Sequence, residues 1–260
     1  VQKTRAKKSL GQNFLADGGV AARIVGALGE LREETVVEIG PGRGALTGLL
    51  VARAGRVVAV ELDRELAPLL REKYAGFDNL TVVEADALTV DFAALIAPAP
   101  RARVVANLPY NISTAILQRL LAQRACLAEM VLMLQREVVE RLAAPPGGRE
   151  RGYLSVLTEA YAETETLFDV PPGAFRPVPQ VWSSVVRLRV REHEALKGCD
   201  EALLWRLVSA GFAQRRKTIA NSLKPLGASD ALRAAEIDPN RRAETLTLEE
   251  WTRLATFSFS

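Results

Sequence analysis

The stretch Val36-Val37-Glu38-Ile39-Gly40-Pro41-Gly42-Arg43-Gly44 runs from β-branched residues directly into a glycine-rich turn. Thr35–Ile39 has the composition of a buried strand, and a strand that ends on glycine can turn sharply. In an open α/β sheet such a turn lies at a carboxyl strand end, outside which ligands bind. Gly40 and Gly42 therefore mark where a ligand can approach the main chain without meeting Cβ atoms.

Downstream, Ala45–Ala54 reads as a helix stopped by Gly55, and Val57–Val60 as a second strand ending at Glu61. A helix over Arg64–Tyr74 leads to a strand over Leu80–Val83, which ends near Asp86. Arg103–Ala106 is a strand ending at Asn107, followed by a helix from Ser113 to Gln123, a strand over Met130–Leu134 and a helix over Arg136–Leu142. After a loop at Pro145–Gly148 come a helix over Gly152–Ala160 and two strands, Glu163–Asp169 and Val185–Val190. Upstream, Asp17 caps a helix carrying Val20, Ile24, Val25 and Leu28, which Gly29 stops. Alternation of strand and helix predicts a doubly wound, mainly parallel α/β sheet, with antiparallel strands near its end. Beyond Arg191 the strands cease, and Ala202–Leu223, Ala231–Ile237 and Leu248–Ala255 have helical spacing. Two domains are expected: an α/β domain over 1–191 and a small all-helical one over 192–260.

Glu61 and Asp86 stand at the ends of the second and third strands. A carboxylate at Glu61 suits two ribose hydroxyls, and one at Asp86 suits an adenine amino group. Gly40-x-Gly42-x-x-Ala45 also satisfies the loose nicotinamide-dinucleotide fingerprint, so the glycines alone leave both cofactors open. Glu38 favours S-adenosylmethionine, because an acid there can hold an amino-acid end through the loop or water but repels a pyrophosphate. Asp86 completes a set of acids at three successive strand ends. No glycine is followed by Lys-Ser/Thr, so a P-loop is absent.

The fourth strand ends in Asn107-Leu108-Pro109-Tyr110-Asn111-Ile112-Ser113. An exocyclic adenine amine is a poor nucleophile because its lone pair is delocalised into the ring. Accepting its two hydrogens at the Asn107 side-chain oxygen and a main-chain carbonyl, that of Leu108, draws the nitrogen toward tetrahedral geometry. Catalysis is then positioning and electrostatics. Pro109 stiffens the loop, and Tyr110 is suited to stack on the base. Phe175, in Val170-Pro171-Pro172-Gly173-Ala174-Phe175-Arg176-Pro177, has two readings: the other side of a base clamp, or a core residue.

Lysine and arginine number 34 against 31 acids, so a polyanion is suggested only by clustering. Lys3, Arg5, Lys7 and Lys8 form one cluster and Arg215, Arg216 and Lys217 a second, the latter open also to an internally paired helix. Cys126 and Cys199 fit no metal or redox spacing, and the single histidine, His193, excludes a histidine-rich metal site. With no bilayer-length apolar run and no signal-peptide core, a cytoplasmic protein without metal or membrane contact is expected. The sequence starts at Val1 rather than methionine, which points to a preceding segment. Nothing in the chain suggests an obligate dimer, so a monomer is expected.

Together, Lys8–Leu15, Glu38–Gly44, Glu61-Leu62-Asp63, Asn107–Tyr110 and Val170–Phe175 resemble the ribosomal RNA adenine dimethyltransferase family. Phe212–Ile219 and Arg242–Leu246 resemble its bacterial small-subunit branch, and the likeness runs from about Lys3 to the C-terminus. The resemblance implies a class I, Rossmann-like methyltransferase sheet with a C-terminal helical domain. It implies an S-adenosylmethionine pocket lined by Asn13, Leu15, Gly40, Glu61, Asp86 and Asn107. Asn107 through Tyr110, with Phe175, would hold a flipped adenine. The substrate implied is two adjacent adenosines in a hairpin loop near the 3′ end of small-subunit RNA, each dimethylated within a small-subunit (30S) assembly intermediate. Lys7, Lys8, Arg215, Arg216 and Lys217 would contact its phosphates.

Overall fold

The computed structural model describes Lys7, residues 11–191, Leu196 and residues 198–257. Lys3, Arg5, Lys8 and His193 lie outside the described residues. The described residues fall into two compact units, one within Val1–Val139 and Glu165–Val190, the other within Glu140–Thr164 and Arg191–Ser260.

The first unit is built on β2 (Thr35–Ile39), every residue of which is buried. Strands β3 (Arg56–Glu61) and β4 (Leu80–Glu84) extend the sheet on one side of it, and β5 (Ala102–Asn107) and β6 (Leu127–Gln135) on the other, all parallel. The order is completed by β9 (Ser183–Val190), antiparallel to β6, and then β7 (Ala162–Val170), giving β4-β3-β2-β5-β6-β9-β7. The chain moves outward from β2 to β4, then returns to lay β5 on the opposite side of β2. That reversal opens a crevice at the carboxyl ends of β2 and β5, where ligands of such sheets bind.

Helices α1 (Gly18–Ala27), α2 (Thr47–Val51), α3 (Leu66–Lys73), α4 (Phe92–Ile96) and α5 (Ser113–Ala122) connect these strands. Asp17 caps α1 as expected, its carboxylate accepting from the amides of Gly19 and Val20 at 2.9 and 3.0 Å. Val36, Val57 and Val105 of the sheet share one core with Ile24, Leu28, Leu50 and Leu70 of the helices. Covering both sheet faces is why the central strands read as continuous apolar runs. Helix α4 was not expected, because five residues are too short to show a period; Asp91 caps it and Phe92 and Ile96 bury its face.

Helix α6 (Arg136–Leu142) spans the division between the units. The expected single boundary after Arg191 is corrected: residues 140–164, with α7 (Tyr153–Tyr161), group with the tail. The reason is Arg151, almost fully buried, whose guanidinium donates to the carbonyls of Ala144 and Leu246 and pairs with Glu159 at 2.7 Å. The other tail helices are α8 (Glu201–Phe212), α9 (Ile219–Leu223), α10 (Ser229–Ala234) and α11 (Leu248–Leu254). A continuous helix over Ala202–Leu223 is not formed. It breaks after Phe212, and Thr218 caps a new helix through its hydroxyl, leaving Arg215, Arg216 and Lys217 exposed in the intervening turn.

Two further strands, β1 (Phe14–Leu15) and β8 (Phe175–Arg176), form a separate antiparallel ladder, Phe14 opposite Arg176 and Leu15 opposite Phe175. It ties the segment before α1 to the loop before β9, two places that no local pattern relates.

Candidate active site

At the end of β2 the chain turns through Gly40, Gly42 and Gly44, all with positive φ. Gly42 combines φ of +58° with close approach, since a Cβ there would lie 3.0 Å from the Phe14 ring. Its amide donates to Glu61 Oε2 at 2.9 Å, while the Asp63 amide donates to Oε1 at 2.9 Å. Each Glu61 oxygen keeps acceptor capacity beyond that one bond. Glu61 is buried, and burial pushes its carboxyl upward against those two amides.

A cavity of about 210 Å³ lies across these strand ends. Of the expected cofactor residues it is lined by Asn13, Gly40, Gly42, Glu61, Asp86 and Asn107, and of the expected reaction loop by Leu108, Pro109 and Tyr110. Asp86 is oriented by accepting from the Leu88 amide at 2.9 Å. Asn107 Nδ2 donates to the Asn13 main-chain carbonyl at 3.1 Å. A carbonyl can only accept, so the amide is orientated with its NH2 toward Asn13 and its oxygen available as an acceptor. The Leu108 amide donates to the Met133 carbonyl at 3.2 Å, and Ser113 Oγ donates to the Tyr110 carbonyl at 3.2 Å, pinning both ends of the loop.

A family model, ribosomal RNA adenine dimethylase, matches residues 3–258. The chain belongs to that family. It is 47% identical over 255 residues to the ribosomal RNA small subunit methyltransferase A of Hahella chejuensis, covering 98% of this chain and 93% of the relative. Among solved structures, the 23S rRNA methyltransferase ErmE is 31% identical with a TM-score of 0.71, over 93% of this chain and 98% of that one. A dimethyladenosine transferase from Plasmodium falciparum, 23% identical, superposes with a TM-score of 0.78 over 93% of this chain and 95% of that one and so shares the fold.

The dimethylase uses S-adenosylmethionine, and the nicotinamide reading of the glycine turn falls. The donor set fits a nucleoside bearing no phosphate: Glu61 offers its two oxygens where ribose hydroxyls would be held, and Asp86 a third acceptor. When bound, the cofactor supplies an electrophilic methyl group on a sulfonium sulfur.

The geometry gives four of the expected residues other surroundings. Glu38 does not line the cavity: it is buried behind the turn, its Oε2 accepting from the Thr47 hydroxyl at 2.6 Å. Burial lifts its carboxyl from 4.5 to about 7, with the Thr47 hydroxyl opposing and the Glu61 charge adding. Leu15 and Phe175 do not line it either. Both are buried in the sheet core, because the β1–β8 ladder turns them inward as a pair, so Phe175 forms no exposed face for a base. Lys7 is engaged with Asp63 at 2.8 Å and Glu65 at 3.0 Å, and Asp63 in turn raises its pKa. Among the tail cations, Arg215 is turned onto the main-chain carbonyls of Arg149 and Arg151, while Arg216 and Lys217 are exposed.

The sequence reading missed Asp63 as an organiser. Burial pushes its carboxyl up, but the Lys7 ammonium, the Glu65 amide and the Gln12 side chain outweigh that and hold it low. Asp63 thereby fastens Lys7 and Gln12 beside Glu61. Gly11, Gln12 and Phe14 also line the cavity, and Gly11, with φ of +61°, passes against the Asn111 amide where no Cβ fits. Their only sequence signal was the Gly-Gln-Asn-Phe-Leu run itself.

Among the described residues no group of three or more His, Cys, Asp or Glu side chains is placed to hold a metal, and no helix is long and apolar enough to cross a membrane.

Proposed function

We propose that this dimethylase acts on small-subunit ribosomal RNA, dimethylating two adjacent adenosines at N6 in a hairpin loop near its 3′ end within an assembly intermediate in the cytoplasm. Support for the subunit comes from the relative of 47% identity, named for the small subunit, against 31% for the 23S enzyme. The single observation carrying the chemistry is the Asn107 amide, whose orientation by Asn13 leaves Oδ1 as an acceptor at the cavity wall. There it receives one hydrogen of the target amine, and the Leu108 carbonyl receives the other. Those two contacts release the nitrogen lone pair from the ring; bound S-adenosylmethionine would supply the electrophilic methyl group, and the extra proton on the methylated nitrogen would pass to water. No strong base is needed; alignment of the reacting atoms supplies the rate.

A loop target agrees with this arrangement, since unstacked bases cost less to extrude than paired ones. The tail unit serves as the RNA-binding domain, with the exposed Arg216 and Lys217 contacting phosphates, which set register while the cavity selects the base. One chain carries the whole site, in keeping with a monomer.

The test is transfer of labelled methyl groups to small and large ribosomal subunits from a strain lacking the modification. Wild type is expected to form dimethyladenosine in small-subunit RNA only. Asn107→Ala is expected to lose about 10²–10³-fold in kcat, the usual cost of one such polar contact in a transition state. Labelling of large subunits instead overturns the substrate, and an active Asn107→Ala overturns the mechanism.

A further inference from the structure

The main chain of the Asn107–Tyr110 loop is fixed through Met133 and Ser113, but the direction of the Tyr110 ring is not. Ser113 holds the Tyr110 carbonyl, and Pro109 restricts the backbone before it. Neither constrains the side-chain torsions of a ring that is only half buried. The constraint comes from 73 residues away: the Tyr110 hydroxyl lies 2.7 Å from Ser183 Oγ.

Ser183 is a rigid anchor. It is fully buried, it is the first residue of β9, and it stands opposite Gln135 in the β6–β9 ladder. The ladder continues one step further, the Arg136 amide donating to the Trp182 carbonyl at 3.0 Å. Burial also pushes the Tyr110 hydroxyl above its ordinary value, so the pair is a neutral phenol and a neutral alcohol across the working pH range.

We infer that Ser183 is a positioning residue for methyl transfer: by holding the Tyr110 hydroxyl, it sets the ring as a fixed wall against which the target adenine stacks. This rests on the reading of Asn107–Tyr110 as the base-holding loop. A stacked base that shifts by about 1 Å leaves near-attack geometry, at a cost reaching about 10²-fold in rate. RNA affinity is carried mostly by phosphate contacts elsewhere, and the variants below keep the aromatic ring as a stacking face. Loss of the anchor therefore falls on kcat and spares KM for RNA. A defect in cofactor binding would not divide that way, and a folding defect, which lowers only the active fraction, is removed by expressing kcat per S-adenosylmethionine-binding site titrated in each variant.

The experiment is a double-mutant cycle on the full chain with Ser183→Ala, Tyr110→Phe and the double variant, each assayed on unmodified ribosomal subunits. Tyr110→Phe deletes only a half-buried hydroxyl, so it tests the same bond if Ser183→Ala folds poorly. Each single variant is expected to lose roughly tenfold in kcat, with KM for the subunits and affinity for S-adenosylmethionine within about twofold of wild type. The double variant is expected to be no slower than the slower single, because both remove one bond. Wild-type kcat in either single variant overturns the inference, as do losses that multiply in the double. If wild type labels only large subunits, the substrate proposal fails while the same cycle on that substrate still decides the role of Ser183. If wild type labels neither, both fail.

Discussion

Replacing Glu38 with glutamine isolates one ionisation whose direction follows from the fold. Glu38 is fully enclosed on β2, against the start of α2, and burial lifts its carboxyl from 4.5 to about 7, the Thr47 hydroxyl opposing and the Glu61 charge adding. A rise of that size corresponds to about 3 kcal/mol. Because the folded-state value is the higher one, the folded chain keeps a proton that the unfolded chain releases. The stability linked to it is complete below about pH 4.5 and is lost as pH rises through about 7. Glutamine keeps an acceptor for Thr47 and carries no charge. Glu38→Gln should therefore match wild type near pH 4.5 and exceed it progressively, by up to about 3 kcal/mol near pH 8. Urea unfolding followed by far-ultraviolet circular dichroism across that range measures the difference, and every other titrating group is present in both proteins. Stability curves that run parallel would refute desolvation as the dominant influence on this carboxyl. A variant less stable at every pH would show that the amide does not replace the protonated acid.

Phe175→Ala should cost about 3–5 kcal/mol of stability in urea unfolding, as for a buried aromatic, because Phe175 packs in the sheet core. A fully stable variant that has lost only activity would restore the clamp reading. Arg216→Ala and Lys217→Ala should each weaken RNA binding at all sequences and lower the slope of log affinity against log salt by about 1. Lys7→Ala, whose ammonium is already committed to Asp63 and Glu65, should leave that slope unchanged; a fall in a salt-titrated binding assay would count against the pairing.

The polar residues at the strand ends were legible because a parallel sheet obeys a positional rule. Once β2, β3 and β5 were recognised by their apolar runs, Glu61 and Asn107 had to sit on the ligand side. The Gly40–Gly44 turn and the Asp17 cap were likewise local chemistry, readable within a few residues. Glu38 shows the limit of that reading. Its place beside the turn was evident, yet whether its carboxylate faced the ligand or Thr47 depended on which side of β2 the start of α2 packs.

The sequence by itself thus determined the succession of strands and helices, the glycine turn and the residues carried at strand ends, since periodicity and turn chemistry act over a handful of residues. Only the tertiary structure decided that Asn13 orients Asn107 and that Ser183 holds Tyr110. It alone turned Leu15 and Phe175 inward together, committed Lys7 to Asp63, and joined residues 140–164 to the tail through Arg151. A hydrophobic period tells which face of an element is buried but not what covers it. Hydrogen-bond partners 56 to 95 residues apart, as in four of these pairings, leave no mark on the local pattern.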